Sequence, residues 1–153
     1  MFYRGVAMGQ IDRTHERSSA ASQVLIVEDN FLVGADMQAV LEQAGYEVLG
    51  PAATVAAALA FIKLARPDAA VLDLNLASEK SYAVIDELAA RNIPVVITSG
   101  CAAADLPEKY RHHPLLAKPY LPRELVRRVA QAMGSSRPPS ADAAGGSQAL
   151  RQQ

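Results

Sequence analysis

The sequence holds a single cysteine, Cys101, so no disulfide can close within the chain. A reducing compartment is therefore expected. No apolar run approaches the roughly 18 residues that cross a bilayer. The opening stretch, MFYRGVAMGQIDRTHERSS, lacks the apolar core of a secretory signal. A cytoplasmic protein without membrane contact is the expectation. An excess of charge is missing too: 15 Lys and Arg stand against 16 Asp and Glu, for a net charge of −1. That balance offers no electrostatic reason for a nucleic-acid partner.

What is present suits one domain with tails. The chain has 153 residues, 50% of them apolar, enough to build a core. Residues 1–22 are polar and aperiodic, and are expected to form a flexible N-terminal extension. Residues 135–153, SSRPPSADAAGGSQALRQQ, are rich in Pro, Gly, Ser and Ala. They bury too little apolar surface to offset the entropy of ordering, so a disordered C-terminal tail is expected. The folded unit is then 23–134.

Within it, short apolar runs alternate with helical spacing. Val24 to Val27 is a first strand. Val33, Met37, Val40, Leu41 and Ala44 share a helix face that stops at Gly45. Tyr46 to Leu49 is a second strand. Thr54 caps a helix that carries Val55, Ala58, Leu59 and Ile62 and ends near Pro67. Ala69 to Leu72, Val95 to Thr98 and Leu115 to Ala117 complete five strands. Tyr82, Ile85, Leu88 and Ala89 mark a third helix. Asp105-Leu106-Pro107 opens a short fourth. Leu121, Leu125, Val129 and Met133 form a last one, stopped by Gly134. Strands that are apolar throughout, rather than alternating, belong in a parallel sheet covered on both faces. The predicted fold is α/β: a five-stranded parallel sheet, (βα)5, in the flavodoxin-like order 2-1-3-4-5.

The polar residues carry the chemistry. Glu28 and Asp29 follow strand 1, Asp73 ends strand 3, Ser99 follows strand 4 and Lys118 follows strand 5. The carboxyl ends of parallel strands share one edge, where ligands bind at the switch in strand order. With order 2-1-3-4-5 that switch gathers Glu28, Asp29 and Asp73. Three carboxylates together favour a proton or a cation, and an all-oxygen set suits Mg²⁺. With the charge offset, Asp73 is free to act as a nucleophile toward phosphorus. Lys118 supplies a point charge and Ser99 a hydroxyl donor for phosphoryl oxygens.

These residues resemble the response-regulator receiver family over nearly all of 23–134. The signatures are Val24-Leu25-Ile26-Val27-Glu28-Asp29-Asn30, Val71-Leu72-Asp73-Leu74-Asn75-Leu76, Ile97-Thr98-Ser99-Gly100 and Lys118-Pro119-Tyr120. The resemblance implies phosphoryl acceptance on Asp73. It implies Mg²⁺ held by Asp29, Asp73 and the backbone carbonyl of Asn75, with Glu28 acting mainly through ordered water. It further implies Ser99 as the switch hydroxyl, Lys118 as the phosphate-binding lysine and a cis Lys118–Pro119 bond. The implied partners are a histidine kinase or a histidine phosphotransfer protein, plus a downstream protein target, with a homodimer through the last helix as an option.

The sequence also departs from the family. Leu115 stands where members commonly carry the aromatic switch residue. The stretch from Gly100 to Leu115 is short, which implies a reduced fourth helix. Ala77-Ser78-Glu79-Lys80 lacks the usual Pro and Gly. These traits partly resemble an alphaproteobacterial subgroup of single-domain receivers, although Val95 and Cys101 replace its aromatics. The tail is too short and polar for an output domain, so a stand-alone signalling protein, not a turnover enzyme, is expected.

Other readings compete. Leu115 and the loop after Asp73 motivate a receiver-like interaction module that works without phosphorylation. An aspartate-nucleophile phosphatase needs a second acid where Asn75 stands. A flavin-binding protein needs a phosphate loop where Glu28-Asp29-Asn30 repels phosphate. Cys101 reads as an inert small residue. His112-His113 read as solvated, with no further ligand spaced to help. Arg123, Arg127 and Arg128 read as a solvated helix face.

Overall fold

A computed structural model describes residues 21–134. The extensions expected at 1–22 and 135–153 lie, apart from Ala21 and Ser22, outside the described residues. The elements in chain order are β1 (Gln23–Val27), α1 (Phe31–Gln43), β2 (Glu47–Ala52), α2 (Val55–Ala65), β3 (Ala69–Asp73), α3 (Tyr82–Ala90), β4 (Val95–Ser99), β5 (Leu115–Ala117) and α4 (Pro122–Ala132). All strand pairs are parallel and the order is 2-1-3-4-5, as expected.

Continuous apolar runs form these strands because each face of the sheet meets helices. Leu25, Val27, Ala70, Leu72, Val95 and Ile97 pack into one core with Ile62 of α2 and Ile85 of α3. The intervening residues Val24, Ile26, Val71 and Val96 enter a second core with Met37 of α1 and Leu125 of α4. Alternate residues thus serve opposite cores, which leaves little place for polar side chains within the strands. Burying one Leu or Ile side chain contributes about 1.5–3 kcal/mol, so the sheet is the rigid base from which the loops at its carboxyl edge project.

Local signals set the helix ends. The Asn30 side-chain oxygen accepts the N–H groups of Leu32 and Val33 at 3.0 and 3.1 Å, capping α1. Thr54 Oγ1 accepts from the Ala57 N–H at 3.1 Å, as its predicted capping role requires. Gly45 follows α1 at φ 94°, a conformation that suits glycine after a helix.

Three expectations need correction. The second strand does not stop at Leu49. It runs to Ala52 through Gly50-Pro51, with a register irregularity against β1 between Leu25 and Val27. Proline is tolerated because β2 is an edge strand. Gly50 has φ 90°, and a Cβ there would lie 2.8 Å from the Ile26 carbonyl oxygen. The short fourth helix expected after Asp105 does not form as an α-helix: only two 3₁₀ turns, Ala103–Asp105 and Glu108–Tyr110, occupy the segment between β4 and β5. Pro107 separates them. It has no N–H to donate, and it biases Leu106 to extended backbone (ψ 141°). Finally, Leu121 precedes the last helix rather than joining its buried stripe, and is 49% exposed.

Candidate functional site

Each predicted side chain stands at the carboxyl edge of the sheet. Glu28 follows β1 directly, and its backbone N–H bonds to the Ala52 carbonyl at 2.9 Å. Asp29 comes next and is half-buried. Asp73 is the last residue of β3, and its register partner across to β4 is Thr98. Ser99 ends β4, and Lys118 lies one residue past β5. The Lys118 backbone N–H donates to the Ser99 carbonyl at 2.9 Å, which ties those two strand ends together. The Lys118–Pro119 bond is cis, as the resemblance implied.

The side chains converge as charge. Carboxylate oxygens of Glu28, Asp29 and Asp73 lie within 4.8 Å of one another. Lys118 Nζ donates to Asp73 Oδ2 at 3.0 Å and reaches Glu28 Oε2 at 3.5 Å. Burial pushes the Glu28 carboxyl above its ordinary value and the neighbouring Asp73 charge adds to this, while Lys118 and the Asn30 N–H pull it partly back. Burial alone would lower Lys118. Its hydrogen bond to Asp73 and the charges of Asp73 and Glu28 prevail, and hold the ammonium above its usual range. Burial likewise raises the Tyr120 phenol, with the Glu28, Asp36 and Asp73 charges adding, to about 12.

Two predicted residues sit beside the cluster with their side chains engaged elsewhere. Ser99 is buried, and its Oγ accepts the Cys101 N–H at 3.0 Å. The Asn75 N–H donates to Asp73 Oδ1 at 3.1 Å, while its side-chain oxygen takes the Lys80 ammonium. The loop that lacks Pro and Gly is a miniature hairpin. Asn75 bridges Lys80 antiparallel, Leu76 and Glu79 exchange backbone bonds, and the Ser81 N–H reaches the Leu74 carbonyl. Leu74 and Leu76 anchor it in the core.

Sequence reasoning missed Ser81. It is fully buried, and its hydroxyl donates to the backbone carbonyl of Asp73 at 2.7 Å. A serine just before a helix signals a cap, but here no capping bond forms. Asn30 was missed as well, although an Asn before an apolar helical pattern is a recognised capping signal. It links α1 to the cluster, because its own N–H donates to Glu28 Oε1 at 3.2 Å.

The donors are hard carboxylate oxygens, two of them buried and one half-exposed, with no nitrogen or sulfur ligand among them. This fits a small divalent cation that keeps part of its hydration shell. An adjacent ammonium and a strand-end hydroxyl suit a tetrahedral oxyanion.

Comparison with known proteins decides the family. A model of the response regulator receiver domain matches residues 24–130. The chain belongs to this family. It is thus a receiver of two-component signal transduction. Among solved receivers it is similar to SdrG from Sphingomonas melonis Fr1, with 38% identity, a TM-score of 0.65, and coverage of 75% of this chain and 98% of that one. It is also similar to the receiver domain of sensor histidine kinase PA1611 from Pseudomonas aeruginosa PAO1. That receiver was solved with a magnesium ion coordinated in its active-site cleft; identity is 27%, TM-score 0.62, and coverage 76% of this chain and 100% of that one. Transcriptional regulatory protein PdtaR of Mycobacterium tuberculosis is 27% identical over 128 residues, which cover 81% of this chain and 62% of PdtaR. The receiver thus spans less than two thirds of that relative. Among the described residues, no helix is long and apolar enough to cross a membrane.

Proposed function

We infer that this receiver accepts a phosphoryl group on Asp73 from a phosphohistidine and relays that state by protein contact. A single observation carries the reading: the Lys118 ammonium lies 3.0 Å from Asp73 Oδ2, beside a cluster of three carboxylates. Such an arrangement orients the nucleophile, and has positive charge ready where phosphoryl oxygens gather.

In the proposed reaction an Asp73 oxygen attacks phosphorus. The P–O bond to Asp73 forms as the P–N bond to histidine breaks, and the imidazole leaves with the bonding pair and takes up a proton. Lys118 moves from the carboxylate toward a phosphoryl oxygen. Ser99 exchanges its Cys101 contact for a second phosphoryl oxygen and donates its hydroxyl proton. Glu28, Asp29, Asp73 and the carbonyl of Asn75 would hold Mg²⁺, which when bound offsets the negative charge of the acids and the incoming group. The Asn75 N–H keeps the remaining Asp73 oxygen in place. One group is accepted per signalling cycle, so the protein acts as a switch rather than a turnover enzyme.

The proposed partners are a histidine kinase or a histidine phosphotransfer protein and a downstream protein, in the cytoplasm, with a homodimer as a further form. No nucleic-acid or membrane partner is proposed. A docking rim is at hand: Phe31 and Leu32, 84% and 76% exposed, stand at the start of α1 beside Glu28 and Asp29. Isolated apolar side chains are ordinary, but an exposed pair just past the acidic end of β1 fits a helical phosphodonor.

The test is incubation of the protein with acetyl phosphate and Mg²⁺, read by intact mass. One phosphoryl adduct is expected, absent with chelator and absent in Asp73→Ala. An adduct that survives in Asp73→Ala overturns the reading. A phosphorylation-independent interaction module has one supporting observation, Leu115 packed in the core cluster of α2 and α3 where a switch aromatic would stand. It predicts partner binding indifferent to Asp73→Asn and to Mg²⁺.

A further inference from the structure

We propose that Ser81, Tyr82 and Tyr110 form a mechanical link that conveys the state of Asp73 to the segment between β4 and β5. The proposal rests on the phosphoryl-acceptance reading and extends it to how the signal leaves the site.

The link begins at the acceptor's own backbone. Ser81 Oγ donates to the Asp73 carbonyl at 2.7 Å and to the Leu74 carbonyl at 3.2 Å. Ser81 is wholly buried, so these bonds are shielded from water and hold the start of α3 to the end of β3. The next residue, Tyr82, opens α3. Its ring stacks on that of Tyr110, centroid to centroid 4.7 Å at an interplanar angle of 12°. Such aromatic pairs contribute about 0.5–1.5 kcal/mol beyond area burial and prefer defined geometries.

Tyr110 belongs to the second 3₁₀ turn, which occupies the place of a missing α-helix. It is only 8% exposed. Its hydroxyl donates to Asp86 at 3.2 Å, one turn along α3 from Tyr82, and Lys109 pairs with the same carboxylate at 2.9 Å. The segment is also tied to itself. Arg111 Nε donates to the Leu106 carbonyl at 2.8 Å and Nη2 to the Ala104 carbonyl at 3.2 Å. These bonds brace residues 104–111 as one unit.

That unit has two attachments to the site. One runs from Asp105, whose carboxylate accepts the Ala102 N–H at 3.2 Å, back to the Cys101 N–H that donates to Ser99 Oγ. The other runs through Tyr110 and Tyr82 to Ser81 and Asp73. If Ser99 turns toward a phosphoryl group, it releases Cys101 at the near attachment. A shift of the Asp73 backbone moves Ser81 and the Tyr82 ring at the far one. A packed stack passes such shifts on because tightly packed groups occupy discrete arrangements rather than deforming smoothly.

The experiment is amide NMR of the full chain with and without beryllofluoride and Mg²⁺. In the parent protein, shifts are expected at Ser81 and Ser99 and again across 106–113. Tyr82→Ala should keep the shifts at Ser81 and Ser99 but lose at least about half the amplitude across 106–113, with Tyr82→Phe restoring it. Tyr110→Leu, which retains an apolar filling, should reproduce the loss and serves if Tyr82→Ala does not fold. Undiminished shifts across 106–113 in a folded variant overturn the link, as do parent shifts confined to the pocket. If the parent shows no shift at Ser81 or Ser99, the phosphoryl-acceptance reading falls, and the link falls with it.

Discussion

Lys118 and Asp73 stand 45 residues apart in sequence, yet their side chains meet at 3.0 Å across the carboxyl edge of the sheet. Neither β3 nor β5 alone creates that contact. β4 lies between them, and the strand order brings both ends over the same gap. The ammonium offsets one acid while the other two remain beside it, so the site is poised to take up more positive charge and then an anion.

Removing the ammonium should separate binding of the cation from the chemistry. Lys118→Ala is expected to bind Mg²⁺ at least as tightly as the parent, because a competing positive charge has gone. Its phosphorylation by acetyl phosphate should slow by roughly 100-fold, the scale for losing one charge-stabilising group. Lys118→Arg should recover only part of the rate, since the planar guanidinium cannot replace a compact ammonium. Mg²⁺ titration and intact-mass kinetics read the two effects independently.

Glu28 supplies a pH test. Its carboxyl is raised by burial and by the Asp73 charge. An acid whose folded value lies above its unfolded one favours the fold while protonated, and that contribution is lost as pH rises through the folded value. At neutral pH the ionised Glu28 therefore weakens the metal-free fold. Glu28→Gln should raise the Tm in chelator at neutral pH. The gain should shrink toward zero on acidification, and the Tm increase from added Mg²⁺ should be smaller than in the parent. Scanning calorimetry across pH checks both signs.

The apolar rim makes a different prediction. Phe31→Ser and Leu32→Ser lie outside the core and should leave Tm and labelling by acetyl phosphate unchanged. Each should lower the rate of transfer from a phosphorylated histidine phosphotransfer protein by roughly tenfold, the effect of losing a moderate interface contact. Equal losses with the small donor and the protein donor would show that these residues support the pocket instead of the partner.

Much of this was legible from the chain because its signals are local and repeated. Val24 to Val27 is apolar at every position, which marks a buried parallel strand, and the acids that follow it can only stand at the strand's end. The same logic placed Asp73, Ser99 and Lys118. Other features depend on partners distant in sequence. Ser81 sits where a helix cap belongs, and only the close approach of the Asp73 carbonyl turns its hydroxyl away. Tyr110 lies in a polar stretch with no apolar periodicity, and its burial comes from the Tyr82 ring 28 positions earlier. The helix expected after Asp105 failed because Pro107 came too early in too short a segment. β2 outran its apolar run because Gly50 and Pro51 fit an edge strand's irregular pairing.

Chemical trapping tests the acceptor most directly. After phosphorylation in Mg²⁺, borohydride reduces an aspartyl phosphate to homoserine, and peptide mass mapping locates the change. Homoserine is expected at position 73 alone, dependent on Mg²⁺ and strongly diminished in Lys118→Ala. Homoserine at Asp29 or elsewhere, or none in a folded protein exposed to both small and protein phosphodonors, would contradict the assignment of Asp73 as the phosphoryl acceptor.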